Sequence, residues 1–349
     1  MDKNKISVII PCYNAENHVK KVYNELKKQT FSNLDIIFIN DGSTDNTLAI
    51  LNDLAKDDKR IRIVTQENKG VATARNVGLE TLANDTSLGG EYVAFVDCDD
   101  ELDKDYLKVL YEDAIKYAAD IVSCHFNEKE FDGTPVSLNL PKYDKIVDKK
   151  EDFFNAYFTC SEKNERYLFH VWNKLFKREV LLSERFDARQ PKGEDTTFIM
   201  KLLFKSPRVY LEDKRLYTYY RSEGKLTKKY KSKMFGGVIQ NVAIYKMAIT
   251  INEEIKNLAL DFFANTSVSS LLWLARNKKR DLFDEYSEIA TQWIKRYLEI
   301  GNDKKRKILA KIYQKIKTYS ILLENLFNKK SKRNACFFIC FLLYVVNQI

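Results

Sequence analysis

The chain has 349 residues, of which 45% are hydrophobic, 13% aromatic and 31% charged, with 5 Pro and 11 Gly. That composition excludes global disorder and fills one large domain or two ordinary ones. The formal charge of +9 is unevenly spread: residues 1–125 hold 15 basic and 22 acidic side chains, whereas residues 301–349 hold 11 and 2. An acidic front suits a cation-assisted site, and a basic tail suits an anionic surface.

In chain order, Ile6–Ile10, Asp35–Ile39, Ile61–Thr65 and Tyr92–Val96 are near-continuous apolar runs, as buried parallel strands require. Between them Ala15–Gln29, Asp45–Ala55 and Val71–Leu82 carry apolar residues at helical spacing, and a strand over Ile121–Phe126 follows a helix over Tyr106–Ala119. This alternation predicts an α/β fold with a doubly wound, mostly parallel sheet, whose ligands bind beyond the carboxyl ends of the strands. Residues 126–148 read as loop or hairpin, 149–204 as mixed and helical, and Val209–Leu211 and Leu216–Tyr220 as two short strands. Beyond Met234 the spacing predicts only helices, over 238–251, 255–274, 282–300 and 305–327. The basic, apolar-poor stretch 222–235 then separates an α/β domain, 1–222, from an all-helical region, 235–349.

Six cysteines are scattered without a CxxC pair, and Met1-Asp2-Lys3-Asn4-Lys5 runs straight into a strand pattern. A disulfide framework or structural zinc is not expected, and a reducing cytoplasm fits.

Polar and acidic residues follow three of the strands: Pro11-Cys12-Tyr13-Asn14, Asn40-Asp41-Gly42-Ser43-Thr44-Asp45 and Asp97-Cys98-Asp99-Asp100. Three carboxylates in four residues repel one another, and a hard divalent cation, Mn²⁺ or Mg²⁺, offsets that cost. The alternative is a solvated turn in which Asp99 or Asp100 caps a helix starting near Leu102. Asn40–Asp45 reads equally as a tight turn with Asp45 as N-cap, or as a carboxylate placed to accept hydrogen bonds from a nucleotide base or ribose. No GxGxxG follows the first strand, which speaks against a dinucleotide-dependent oxidoreductase.

Four blocks, ISVIIPCYNAENHV, DIIFINDGSTDNT, ENKGVATARNVGL and YVAFVDCDDEL, stand in order across roughly residues 5–110. Together they resemble the inverting nucleotide-sugar glycosyltransferases of family 2. A further block, Trp172-Asn173-Lys174-Leu175-Phe176-Lys177 followed by Gly193-Glu194-Asp195, resembles the acceptor-side region of bacterial capsule and exopolysaccharide members. The resemblance covers about residues 5–220. It implies the GT-A fold, with residues 1–125 for the nucleotide sugar and 126–222 for the acceptor. It places Pro11, Tyr13, Asn14 and Glu16 around base and ribose, Asp41 on the base with Ser43 nearby, and Arg75 at the base or diphosphate. Asp97 and Asp99 become the DxD pair, Asp97 toward ribose and sugar and Asp99 toward the metal, with Asp100 as a substitute ligand.

Asp195 is the implied general base and Glu194 its fallback, since inversion in one displacement needs a carboxylate opposite the leaving diphosphate. The competing reading makes Asp195 the cap of a helix over Thr196–Phe204. Trp172, Asn173, Lys174 and His170 read as acceptor contacts, with core packing as the other reading of Trp172.

In the tail, Ile308, Ile312, Ile316, Tyr319, Leu323 and Leu326 form one helical stripe flanked by Lys307, Lys311 and Lys315. Lys329-Lys330-Ser331-Lys332-Arg333 and the uncharged run Ala335–Val346 follow. Twelve residues at about 1.5 Å each reach roughly 18 Å, short of a ~30 Å bilayer core. The expectation is a helix lying on an anionic membrane surface at the inner face of the cell membrane; the alternative is a helix packed on the protein or in a homodimer contact. Nucleic acid is not an expected partner, because no motif for it is present. The functional expectation is transfer of a sugar from a UDP-sugar to a lipid-linked or cell-surface glycan, with an inactive partner of another transferase as the rival.

Overall fold

The computed structural model describes residues 2–85, 89–159, 169–190, 193–205, 207–221 and 240–263. The chain divides into two compact units, Met1–Ile255 and Lys256–Ile349. In the second, residues 256–263 are described and are helical. The expected helices beyond 263, the basic tail and the expected boundary at 222–235 lie outside the described residues.

Among the described residues the first unit is built on one sheet of ten strands. They are β1 (Asp2–Cys12), β2 (Leu34–Asp41), β3 (Ile61–Gln66), β4 (Gly90–Phe95), β5 (Glu101–Leu102), β6 (Ile121–Lys129), β7 (Pro135–Val136), β8 (Lys145–Val147), β9 (Lys174–Lys177) and β10 (Val209–Tyr220). Helices α1 (Val19–Lys27), α2 (Thr47–Asp57), α3 (Val71–Asn84), α4 (Tyr106–Lys116), α5 (Lys150–Thr159), α6 (Arg178–Leu181) and α7 (Glu194–Phe204) connect them. The order across the sheet is β3-β2-β1-β4-β9-β6-β10-β5, with β7 on β6 and β8 on β10. Strands β3, β2, β1 and β4 run parallel, as do β6 and β10, while β9 is antiparallel to both β4 and β6.

Apolar runs without alternation make β1 and β2 central strands covered on both faces. Ile6, Val8 and Ile10 share a core with Val19 of α1, Leu51 of α2 and Leu107 of α4. Ile9 lies under α3, where Gly78 permits the approach: a Cβ there would stand 2.5 Å from Ile9 Cγ2. On the α3 side Phe95 meets Phe186 edge-on at 5.6 Å, and Phe186 stacks on Phe198 of α7 at 3.9 Å. Each large side chain buried in this way contributes roughly 1.5–3 kcal/mol.

Several local expectations change. Lys174–Lys177 is a strand, not part of a helical stretch; a short apolar run cannot be told from a helix by periodicity alone. Residues 209–220 form one strand, whose charged Glu212-Asp213-Lys214 marks a register shift against β6 that interrupts the apolar pattern. By contrast, residues 126–148, expected as loop or hairpin, do form a hairpin in part: strand β6 runs on to Lys129 and turns back as β7. Helix α4 begins at Tyr106, so neither Asp99 nor Asp100 caps it. Helix α7 begins at Glu194 with Gly193 at the N-cap, φ 77°, so Asp195 lies inside the first turn and is not the cap.

Candidate active site

Strands β1, β2 and β4 are parallel neighbours, so the segments that follow them share one sheet edge. The first two segments are sewn together. The Asn14 amide donates to Ser43 Oγ at 3.0 Å, and the Thr44 amide donates to Asn14 Oδ1 at 2.8 Å. Glu16 Oε2 accepts the Asn46 amide at 3.1 Å, while the Glu16 amide donates to Asp45. Asn14, Glu16 and Ser43 thus shape a rim by holding each other's loops. Beside them Tyr13 is 51% exposed, a ring free to stack on a planar ligand, and Pro11 is half-buried near the end of β1.

Asp41 is 3% exposed and accepts three hydrogen bonds from the β3–α3 connection: Gln66 Nε2 at 2.5 Å, and the Lys69 and Gly70 amides at 2.9 Å each. Gly42 makes this closeness possible: it has φ 69°, and a Cβ on it would stand 2.5 Å from the Asn68 amide nitrogen. Asp41, expected on a base, thus also holds the chain that leads into α3.

Helix α3 carries Arg75 to the centre of the site. Its guanidinium, 4% exposed, donates to Asp195 Oδ1 at 2.5 Å and to Asp97 Oδ1 at 2.9 Å, with Glu194 Oε1 at 3.5 Å. It lies 5.6 Å from the Phe186 ring centroid. Among the described residues its buried Nε has no hydrogen-bond partner. Burial opposes the arginine's charge, but Asp195, Asp97 and Glu194 outweigh it and raise its pKa. Asp195 is pushed up to about 7, chiefly by burial and further by Glu194 and Asp97, against the lowering effect of Arg75 and Lys174. Arg75, expected at the base or diphosphate, therefore joins the end of β4 to the start of α7.

The acidic turn after β4 splits into two roles. The Asp97 amide donates to the Tyr217 hydroxyl at 3.2 Å, which donates in turn to Asp100 Oδ2 at 2.8 Å. Asp100 Oδ1 accepts the Tyr220 amide at 3.0 Å. Asp100 is 1% exposed, and burial with the charges of Asp97 and Asp99 holds its carboxyl well above the usual range. It fastens the turn to β10 through both oxygens. Asp99 is half-buried, its pKa raised by burial and by Asp97, and it makes no ion pair among the described residues. Asp97 and Asp99 offer two hard carboxylates with a repulsion that a cation would relieve. No three His, Cys, Asp or Glu side chains among the described residues form a metal site by themselves, so such a cation needs further oxygens from a ligand.

The family model described as "Glycosyl transferase family 2" matches residues 7–182, about half of the chain. The chain belongs to glycosyl transferase family 2. Relatives of this family 2 chain include glycosyltransferase GlyA of Streptococcus pneumoniae serotype 4, 35% identical over 239 residues, covering 68% of this chain and 33% of GlyA. Another, the uncharacterized glycosyltransferase EpsJ of Bacillus subtilis, is 32% identical over 227 residues, covering 64% of this chain and 62% of EpsJ. The chain thus spans a third and just under two thirds of these two proteins. Among solved structures, Staphylococcus aureus TarS 1-349 in complex with UDP superposes with a TM-score of 0.65 at 21% identity, covering 94% of this chain and 93% of that one. That likeness is one of fold, the GT-A architecture implied by the motifs.

The Trp172-Asn173-Lys174 block of this family 2 chain lies inside the protein. Trp172 is 3% exposed, stacked on Tyr217 at 4.7 Å, on Tyr219 at 5.4 Å and on His170 at 5.0 Å. Asn173 Nδ2 donates to the Cys124 carbonyl, and buried Lys174 donates to the His170 carbonyl and to Asn173 Oδ1, both at 2.7 Å. Burial presses Lys174 down to about 7 and His170 to about 3. The first three are therefore core groups and not an exposed acceptor platform, because they enter β9 in the middle of the sheet; His170 is half-buried on the stack. The core reading of Trp172 is the one the structure bears out.

Three residues of the site escape the motifs. Tyr217 and Phe186 look like ordinary core aromatics in sequence, and Gln66 ends an apolar strand with nothing to mark it. Only the Tyr-rich run 217–220 hinted that β10 reaches the site.

Proposed function

We propose that this family 2 chain is an inverting glycosyltransferase that moves a sugar from a nucleotide diphospho-sugar to a hydroxyl of a lipid-linked or cell-surface glycan. The carrying observation is the Arg75 bridge, which brings the donor-side carboxylate Asp97 and the acceptor-side carboxylate Asp195 within reach of one guanidinium. The UDP bound to TarS supports a UDP-sugar as donor.

Asp195 is the general base. Burial poises it at about 7, so near neutrality a large share is carboxylate with enough basicity to take a hydroxyl proton. The acceptor oxygen attacks the anomeric carbon opposite the leaving group, its proton passes to Asp195, and the bond to the diphosphate breaks with the electron pair leaving on the nucleotide. Glu194, 3.5 Å from Arg75, is the fallback base. Asp97 and Asp99 would hold a Mn²⁺ or Mg²⁺, whose charge stabilises the departing diphosphate. Pro11, Tyr13, Asn14, Glu16 and Ser43 border the nucleotide, and His170 stands on the acceptor side.

The lipid-linked acceptor and attachment at the inner membrane face rest on the basic tail, Lys329–Arg333. No helix among the described residues is long and apolar enough to cross a membrane.

The test is a screen of UDP-sugars with Mn²⁺ for hydrolysis and transfer, alongside thermal melting. UDP with Mn²⁺ raises the melting temperature and NAD does not, and Asp99→Ala removes both the shift and the turnover. Turnover unchanged in Asp99→Ala would remove the metal-assisted mechanism.

A further inference from the structure

Arg75 is the one cation with its guanidinium between the two halves of the site among the described residues, and its geometry is that of a clamp. Its NH1 is committed to Asp195 and Glu194 of α7, and its NH2 to Asp97 after β4. The arm that places it is fixed at both ends. Asp41 holds the Lys69 and Gly70 amides where α3 begins, and Phe186 packs beside the guanidinium at 5.6 Å. A planar fork gripping two carboxylates fixes their separation and orientation in a way a point charge cannot.

We propose that Arg75 is a positioning residue, which acts on the reaction through Asp195 and not as a ligand of the donor's base or diphosphate. The inference rests on the reading of Asp195 as the base. The charged groups facing Asp195 are Arg75 from α3, Asp97 from the turn after β4, Glu194 on its own helix and Lys174 from β9. Arg75 is the nearest opposite charge, so its removal disfavours the ionised base.

The full chain is compared as native, Arg75→Met, Arg75→Lys and Asp195→Asn, with folding checked by circular dichroism. UDP affinity with Mn²⁺ is read by calorimetry, and kcat/KM against pH with the UDP-sugar that the native enzyme turns over. Expected for Arg75→Met is UDP affinity within about threefold of native, kcat lower by about a hundredfold, and an acidic limb of kcat/KM displaced upward by about one pH unit or more. Added guanidinium ion restores part of the lost rate and returns the limb toward its native position. Arg75→Lys keeps the limb near its native place but loses rate, since it cannot grip both carboxylates. If Arg75→Met fails to fold, Arg75→Lys decides: UDP affinity weakened more than tenfold with kcat near native overturns the proposal. So does a displaced affinity with an unmoved limb in Arg75→Met. Should Asp195→Asn retain native turnover, the base assignment falls first and separately, and a native protein that turns over no nucleotide sugar removes the functional reading itself.

Discussion

Asp41 Oδ2 accepts the Gly70 amide at 2.9 Å, and this bond sets where α3 begins. The relationship depends on Gly42, whose missing side chain leaves room for the Asn68 backbone. Gly42→Ala combines a left-handed backbone with a Cβ against a main-chain nitrogen. We expect it to lower stability by about 1–3 kcal/mol, seen as a drop in the urea midpoint without a change of slope. A midpoint equal to native would show that the loop yields freely and that Asp41 controls nothing.

Asp195→Asn is expected to cut turnover roughly 10²- to 10⁴-fold while leaving UDP binding in place. In the native enzyme kcat/KM should rise with pH and level off above about 7, because protonated Asp195 cannot accept the acceptor's proton. A profile flat from about pH 5 to 9 contradicts the assignment.

Tyr217 serves two backbone segments through one hydroxyl. Tyr217→Phe leaves Asp100 Oδ2 and the Asp97 amide without that partner, at a cost of about 1–3 kcal/mol. Thermal melting measures the loss, and the stabilisation by UDP with Mn²⁺ should shrink along with it.

Asp113 of α4 and Glu212 of β10 form a second, non-catalytic pair of buried carboxyls. Burial, then Glu212, pushes Asp113 up to about 7 from 3.8. A carboxyl whose pKa is higher in the fold than in the unfolded chain binds its proton more tightly when folded. Its stabilising effect is complete below 3.8 and is lost as the pH rises through about 7. The urea midpoint of the native protein should fall between about pH 4 and pH 7, and Glu212→Gln should flatten that slope. Asp195 contributes in the same direction, so Asp195→Asn flattens it further. A midpoint that climbs over this interval contradicts both shifts.

The parallel half of the sheet was legible because β1, β2 and β4 are buried on both faces and so appear as unbroken apolar runs, with their polar residues crowded at one edge. The motifs then located Asp41, Arg75, Asp97, Asp99 and Asp195. What they did not contain was the partner of each group. That Arg75 faces two carboxylates depends on α7 folding back across the sheet, a contact 120 residues distant in sequence. The same holds for Asp100, whose hydroxyl and amide donors come from β10. Lys174 misled for another reason: polar residues in a short run suggest a surface, yet the antiparallel strand β9 is wedged between β4 and β6, and the fold satisfies them internally.

That wedge matters for how such enzymes diversify. The chain leaves β6 at Lys129 and returns in the adjacent lane as β9, where Lys174 pairs with Ser123, so the excursion finishes about 20 Å back along β6 from where it started. Lengthening or replacing it costs little in closure entropy and leaves the four parallel strands untouched. Grafting the stretch from one relative to another should therefore leave in place the strands that end in Asp41 and lead into Asp97.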